Sequence, residues 1–253
     1  MKRLLNRCLC LLTLAFSACR EEPVPQAAEP DASGALVAPF AAARAHMVEH
    51  DLALRGIQDP RVLAAMATVP REAFVLPAYR DDAYDDRPLP IQAGQTISQP
   101  FIVAAMTEAL QVKPDHRILE IGTGSGYQAA VLADLVTQVY TIEIIEELAN
   151  SAAEVLKDLS YTNVVVKAGD GYKGWPDHAP FDGIIVTAAP EHVPQPLVDQ
   201  LSAGGRMIIP VGPQYAVQHL LLIEKDAEGN VSKRNLMDVR FVPFTGEGVR
   251  KKP

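Results

Sequence analysis

The segment that most constrains this chain is Arg117-Ile-Leu-Glu-Ile-Gly-Thr-Gly-Ser-Gly-Tyr127. Its first five residues are a short apolar run that predicts a strand, and residues 126–135 carry a helical pattern. The glycines at 122, 124 and 126 let the backbone between them turn sharply and approach a ligand closely. The helix that follows offers its positive N-terminus at the same point. Such a strand–turn–helix unit belongs in an open α/β sheet, where ligands bind at the carboxyl ends of strands.

The rest of the chain agrees with that placement. Strands are predicted at 138–142, 163–167 and 182–187, with helices at 146–159 and 194–201, the last ended by Gly204-Gly205. Further strands are expected at 206–211, 218–223 and about 234–242. The alternation implies a mostly parallel, Rossmann-like sheet with helices on both faces. No helical crossover precedes the last strands, so at least one is antiparallel. A helical N-terminal extension comes first, at 40–55, closed by Gly56, and at 59–69, opened by Asp59-Pro60. Residues 76–100 hold Pro77, Pro88, Pro90, Gly94 and Pro100 and predict a long ordered loop or short edge strands. Ser98 and Pro100 are placed to open a helix through Leu110.

The ends and the charge narrow the function. Net charge is −8 and aromatics are 6%, which argues against nucleic acid as a partner. All three cysteines, Cys8, Cys10 and Cys19, lie at the start, so the remaining 234 residues contain no cysteine site. Lys2, Arg3 and Arg7 precede an apolar run from Leu9 to Phe16, and Ser17-Ala18 precede Cys19. This pattern resembles a lipoprotein signal, with Phe16 where leucine is usual. Residues 1–18 are thus expected to be a signal peptide, 19–39 a Pro- and Ala-rich tether anchored through lipid at Cys19, and 40–253 one domain. The expected location is exported, on the periplasmic face.

At the glycine turn, Tyr127 stands where a G-x-G-x-x-G dinucleotide fingerprint needs glycine. Glu120, just before the turn, would repel a pyrophosphate and suits a cation. Glu143 follows Gly122 by 21 residues, at the end of the next strand, where a carboxylate accepts from ribose hydroxyls. A nucleoside with an ammonium and no phosphates is S-adenosylmethionine. Gly169-Asp170-Gly171 follows the third strand, on the same sheet edge, within reach of an adenine.

These segments, together with Met47-Val-Glu-His-Asp-Leu-Ala-Leu-Arg-Gly-Ile, Val69-Pro-Arg-Glu-Ala-Phe-Val, Gly94-Gln-Thr-Ile-Ser-Gln-Pro, Thr187-Ala-Ala-Pro and Phe241-Val-Pro-Phe-Thr-Gly, resemble the protein-L-isoaspartate O-methyltransferases over about residues 45–246. The resemblance implies methyl transfer from S-adenosylmethionine to the free α-carboxyl of L-isoaspartyl residues in damaged proteins, whose ester then collapses to a succinimide. It implies that Ser98 is the active-site serine, in a stretch with Gln95, Thr96 and Ile97 that closes over cofactor and substrate. Glu120, Gly122 and Gly124 match the cofactor turn, Glu143 the ribose acid, Asp170 and Gly171 the adenine loop, and Thr245 a C-terminal site residue. A monomer without a metal is expected, touching a membrane only through Cys19. Usual members are cytosolic and lack a signal, so a cytoplasmic location is the alternative.

A carboxylate nucleophile with a pKa near 4 is ionised at neutral pH and needs no general base. Ser98 therefore reads as a hydrogen-bond donor that positions the substrate, or, from sequence alone, as a cap before Pro100. A generic carboxyl methyltransferase is the near alternative. His46-Met-Val-Glu49-His50 matches H-x-x-E-H and opens a distant one, zinc hydrolysis. A domain that keeps the fold without catalysis is a third, opposed by Ser98, Glu120 and Glu143 standing together.

Overall fold

The computed structural model describes residues 40–246. The expected signal peptide, tether and Cys19 lie outside the described residues. Helix α1 (Ala41–His46) runs on into a π turn, Met47–Leu52, and a 3₁₀ turn, Ala53–Arg55. Gly56, at φ +104°, ends it. The π turn has a sequence reason. Met47 and Leu52 are five residues apart and both fully buried, which an i→i+5 winding allows. Leu54, two residues beyond Leu52, is 74% exposed. Helix α2 (Pro60–Thr68) starts as predicted, with Asp59 accepting from the Arg61 amide and Pro60 in the first turn.

The 76–100 stretch is ordered by a minimal hairpin. Strands β1 (Leu89–Pro90) and β2 (Thr96–Ile97) pair antiparallel, Leu89 opposite Ile97. Helix α3 (Pro100–Leu110) follows, and its cap is Gln99, without a side-chain cap bond. Ser98 is thus not the cap that Pro100 suggested.

The sheet comprises β3 (Arg117–Ile121), β4 (Gln138–Glu143), β5 (Val164–Ala168), β6 (Phe181–Val186), β7 (Leu201–Val211), β8 (Gln218–Lys225) and β9 (Val231–Val239). Its order is β5-β4-β3-β6-β7-β8-β9. The first five of these are mutually parallel, and β8 and β9 are antiparallel additions. Helices α4 (Tyr127–Ala133), α5 (Glu146–Asp158) and α6 (Gln195–Asp199) complete the layers. Alternate strand residues feed two cores. Ile118, Ile185 and Ile208 join α2, α3 and α4, while Leu119, Ile184 and Met207 join α6 and Trp175. Among the described residues no helix is long and apolar enough to cross a membrane.

The boundaries that differ most from the sequence expectation are those around β7 and β9. The helix expected over 194–201, with Gly204-Gly205 as its stop, ends at Asp199, and those glycines lie inside β7. The carbonyl of Gln200 accepts from the Phe181 amide at 2.9 Å, and its side chain bonds the Trp175 amide and the Lys173 carbonyl. Gln200 is thereby committed to the sheet edge rather than to another helical turn. Strand β9 spans Val231–Val239 because it matches β8 across a tight turn, Lys225 opposite Val231. The chain beyond it runs past Ala189, whose carbonyl accepts from the Phe244 amide at 3.0 Å, and carries Phe244 and Thr245 to the carboxyl edge of β6.

Candidate active site

The sheet order reverses at β3. Strands β4 and β5 lie on one side of it, and β6 and β7 on the other. A crevice opens at the carboxyl ends of β3, β4 and β6, the switch point where open α/β sheets bind ligands. A cavity of about 300 Å³ occupies it, lined by Gly122, Gly124, Glu143, Gly171 and Thr187 among others. Gln95, Thr96, Ile97, Ser98 and Thr245 also lie on its wall.

Two glycines make this geometry possible. Gly122 has φ +96°, and a Cβ there would collide with Thr187 Oγ1. That hydroxyl donates to the Gly122 carbonyl at 2.6 Å, while the Gly122 amide donates to Ile142 at 2.8 Å. A Cβ on Gly171 would collide with the Ile121 side chain, so only glycine lets the loop after β5 approach the end of β3.

Glu143 is 6% exposed and holds the turn. One carboxylate oxygen accepts from the Gly124 amide at 2.9 Å and the other from the Ile145 amide at 3.0 Å. A carboxylate has about four lone-pair positions, so about two stay available to ligand hydroxyls. The apolar side chain of Ile144, next in sequence and 40% exposed, lines the same wall.

Glu120 and Asp170 are placed differently from the sequence expectation. Glu120 is fully buried beneath the turn and does not line the cavity. Thr141 Oγ1 donates to one of its oxygens at 2.5 Å, and the other oxygen has no hydrogen-bond partner among the described residues. The strand register explains this: Glu120 lies opposite Thr141, pointing into the same core face as Ile118. Burial pushes its carboxyl up to about 8, against the Thr141 hydrogen bond and with added repulsion from Glu143. Asp170 caps the 3₁₀ turn Gly171–Lys173 by accepting from the Tyr172 amide at 2.9 Å, and its neighbour Gly171 reaches the cavity instead.

A second cavity, of about 380 Å³, adjoins the first. Both are lined by Thr96, Ser98, Thr187 and Val242. Ser98 is half-buried at their junction, and its hydroxyl makes no hydrogen bond to another described residue. The second cavity is otherwise largely apolar, with Ile102, Val217, Val239 and Phe241, and has Asp238 and Arg240 on its rim.

Sequence reasoning did not single out Thr187, Gln128 or Tyr215 as site residues, although all three line the first cavity. Thr187 was findable in principle, since it directly follows β6, the strand beside the glycine turn. Tyr215 comes from the β7–β8 loop, is 87% exposed and has no local signal. His46, Glu49 and His50 are all exposed. The two rings stack at 4.2 Å instead of converging, and His50 Nδ1 lies 3.3 Å from the His46 carbonyl oxygen. Among the described residues no group of three His, Cys, Asp or Glu side chains forms a metal site.

The family model for protein-L-isoaspartate(D-aspartate) O-methyltransferase matches residues 42–249, well over half of the chain. A protein-L-isoaspartate O-methyltransferase 2 of Syntrophobacter fumaroxidans is 57% identical over 224 residues, 85% of this chain and 91% of that protein. The protein-L-isoaspartate O-methyltransferase of Gloeobacter violaceus is 55% identical over 201 residues, 79% of this chain and 98% of that protein. Among solved structures, a Plasmodium falciparum protein described as a protein-L-isoaspartate O-methyltransferase, in complex with S-adenosyl-L-homocysteine, superposes with a TM-score of 0.67. It is 28% identical, over 80% of this chain and 98% of that one.

The buried Glu120 yields a stability prediction. A carboxyl whose pKa is raised by folding, here from 4.5 to about 8, stabilises fully below its unfolded value, and that contribution is lost as pH rises through the folded one. Glu120→Gln, a neutral isostere, is expected to flatten the pH dependence of urea midpoints between about pH 5 and 8. Parallel profiles for the two proteins would show that Glu120 is ionised in the folded state.

Proposed function

The chain belongs to the protein-L-isoaspartate(D-aspartate) O-methyltransferase family, and we propose that its two joined cavities divide that reaction, cofactor in the first and isoaspartyl chain in the second. The enzyme esterifies the free α-carboxyl of L-isoaspartyl residues, with S-adenosylmethionine as methyl donor. The observation that carries the division of labour is the junction at Ser98, a side chain lining both cavities with its hydroxyl unspent.

The residues present fit the cofactor. The glycine turn leaves a cradle that a Cβ would fill, and Glu143 retains acceptor capacity for ribose hydroxyls. Ile144 and Gly171 offer an apolar wall and a close backbone approach for a planar base. When bound, the cofactor supplies a methyl group on a sulfonium; the oxygen–carbon bond forms as the sulfur–carbon bond breaks, and no proton moves.

The chain's own residues then have to orient and enclose. Ser98 Oγ donates to the substrate carboxylate and aims one oxygen along the line of transfer. Gln95, Thr96 and Ile97 form the wall between cofactor and peptide, and Thr245 lines the same cavity. Glu120 acts from below, through Thr141 and the turn, rather than by touching the cofactor. Orientation of this kind can contribute roughly 7–11 kcal/mol at best, which makes a general base unnecessary.

Glu143→Ala is expected to weaken cofactor binding by about 1–3 kcal/mol in calorimetry, through lost charge-assisted hydrogen bonds. Ser98→Ala is expected to leave that affinity unchanged and to raise the barrier to turnover on an isoaspartyl peptide by about 1–3 kcal/mol. Wild-type turnover in Ser98→Ala would remove the hydroxyl from the reaction.

We also propose that the chain is exported and lipid-anchored at Cys19. Support comes from the basic start at Lys2, Arg3 and Arg7, the short apolar run and the Ser17-Ala18-Cys19 junction. The full chain should then fractionate with membranes and carry lipid label, and Cys19→Ala should lose that label. A cytosolic product that retains Met1 would contradict the export reading.

A further inference from the structure

We propose that Arg71 is a positioning residue for methyl transfer, a buried cation that holds the Ser98 main chain so that the Ser98 hydroxyl faces both cavities. This inference rests on the role given to Ser98 above.

Arg71 opens the 3₁₀ turn Arg71–Phe74 and is fully buried. Its Nη2 donates to the Ser98 carbonyl at 2.7 Å, and its Nε donates to the Ala83 carbonyl at 2.7 Å. The guanidinium carbon lies 4.7 Å from the centre of the Tyr127 ring, and Tyr127 also lines the first cavity. Among the described residues Nη1 has no hydrogen-bond acceptor and no carboxylate is hydrogen-bonded to the group.

Burying a cation without an ion pair is costly, and burial lowers this guanidinium's pKa. An unbranched apolar residue would fill similar space without that cost. What an arginine supplies is a rigid fork of charge-assisted donors reaching two segments at once. Those segments are Ala83, in the turn region after Tyr79, and Ser98, at the cavity junction.

The neighbouring contacts show how completely the main chain around Ser98 is fixed. On one side, Ile97 pairs with Leu89 in the hairpin. On the other, Asp86 accepts from Gln99 Nε2 at 2.7 Å and from the Phe101 amide at 2.9 Å. Anchors therefore fall at 97, 98, 99 and 101, with Arg71 supplying the one on Ser98 itself. Among the described residues the Ser98 hydroxyl itself has no hydrogen-bond partner. A group that acts through another in this way should affect the transfer step and not the binding of either ligand.

The test is a double-mutant cycle in the full-length protein, using Arg71→Met, Arg71→Lys and Ser98→Ala. Arg71→Met is expected to lower kcat on an isoaspartyl peptide by about tenfold or more, with KM and the calorimetric affinity for S-adenosylmethionine within about threefold of wild type. Arg71→Lys keeps the charge without the fork and should fall in between. In the Ser98→Ala background either Arg71 change should cost much less than it does alone, because the group it positions is gone. Amide hydrogen exchange over residues 95–99 should quicken in the ligand-free Arg71 variants. If Arg71→Met does not fold, Arg71→Lys carries the same cycle. Wild-type kcat in both variants, or an undiminished loss in the Ser98→Ala background, would overturn the inference. A Ser98→Ala protein with normal turnover would instead overturn the reading of Ser98 on which it rests.

Discussion

Every part of the site depends on how closely the turn after β3 approaches the end of β6. Gly122 is held from both sides, its amide on Ile142 of β4 and its carbonyl on the Thr187 hydroxyl beyond β6. No side chain fits between them, and the positive φ at Gly122 favours glycine independently. This fixes the turn at the switch point, brings Gly124 onto Glu143, and sets Thr187 on the wall shared by both cavities. The hairpin of β1 and β2, the loop after β5 and the chain beyond β9 then need only reach this one place.

Two buried ionisable groups flank that centre, and each acts through the backbone or a neighbour. Glu120 lies below the turn, tied to Thr141, which in turn meets the Thr123 hydroxyl at 2.6 Å. Arg71 lies behind the 95–98 segment and grips a carbonyl. Neither lines a cavity. The polar groups that line the first cavity are hydroxyls, side-chain amides, backbone and one carboxylate, Glu143. Such a set suits a reaction that needs alignment and exclusion of water and transfers no proton.

The sheet was legible because its signals are local and repeated: apolar runs of strand length, glycine turns at their carboxyl ends, and helices between. Of the expected site residues, those carried by backbone turns or short loops, Gly122, Gly124, Glu143, Gly171 and the 95–98 stretch, do converge on one cavity. The misplacements have physical causes that spacing alone does not display. Glu120 precedes the turn and is expected to face a ligand, but the period-2 alternation of β3 directs it into the core beside Thr141. Asp170, expected in the adenine loop, does not line the cavity, and one of its carboxylate oxygens caps its own turn. The early end of the helix before β7 follows from tertiary hydrogen bonds to Gln200, and the π turn from two buried residues five apart. Tyr215 reaches the cavity by a loop path that no periodicity encodes.

The central claim is that an isoaspartyl carboxylate docks beside Ser98 in line with the methyl donor, and the most direct measurement uses two peptides. Both have one sequence, one with an L-isoaspartyl linkage and one with the normal aspartyl linkage, and both are offered to the purified protein with labelled S-adenosylmethionine. The geometry predicts label on the isoaspartyl peptide and close to none on its aspartyl twin, because the linkage places the free α-carboxylate one methylene closer to the main chain. Equal labelling of the two would contradict it and leave a carboxyl methyltransferase without selectivity for the damaged linkage.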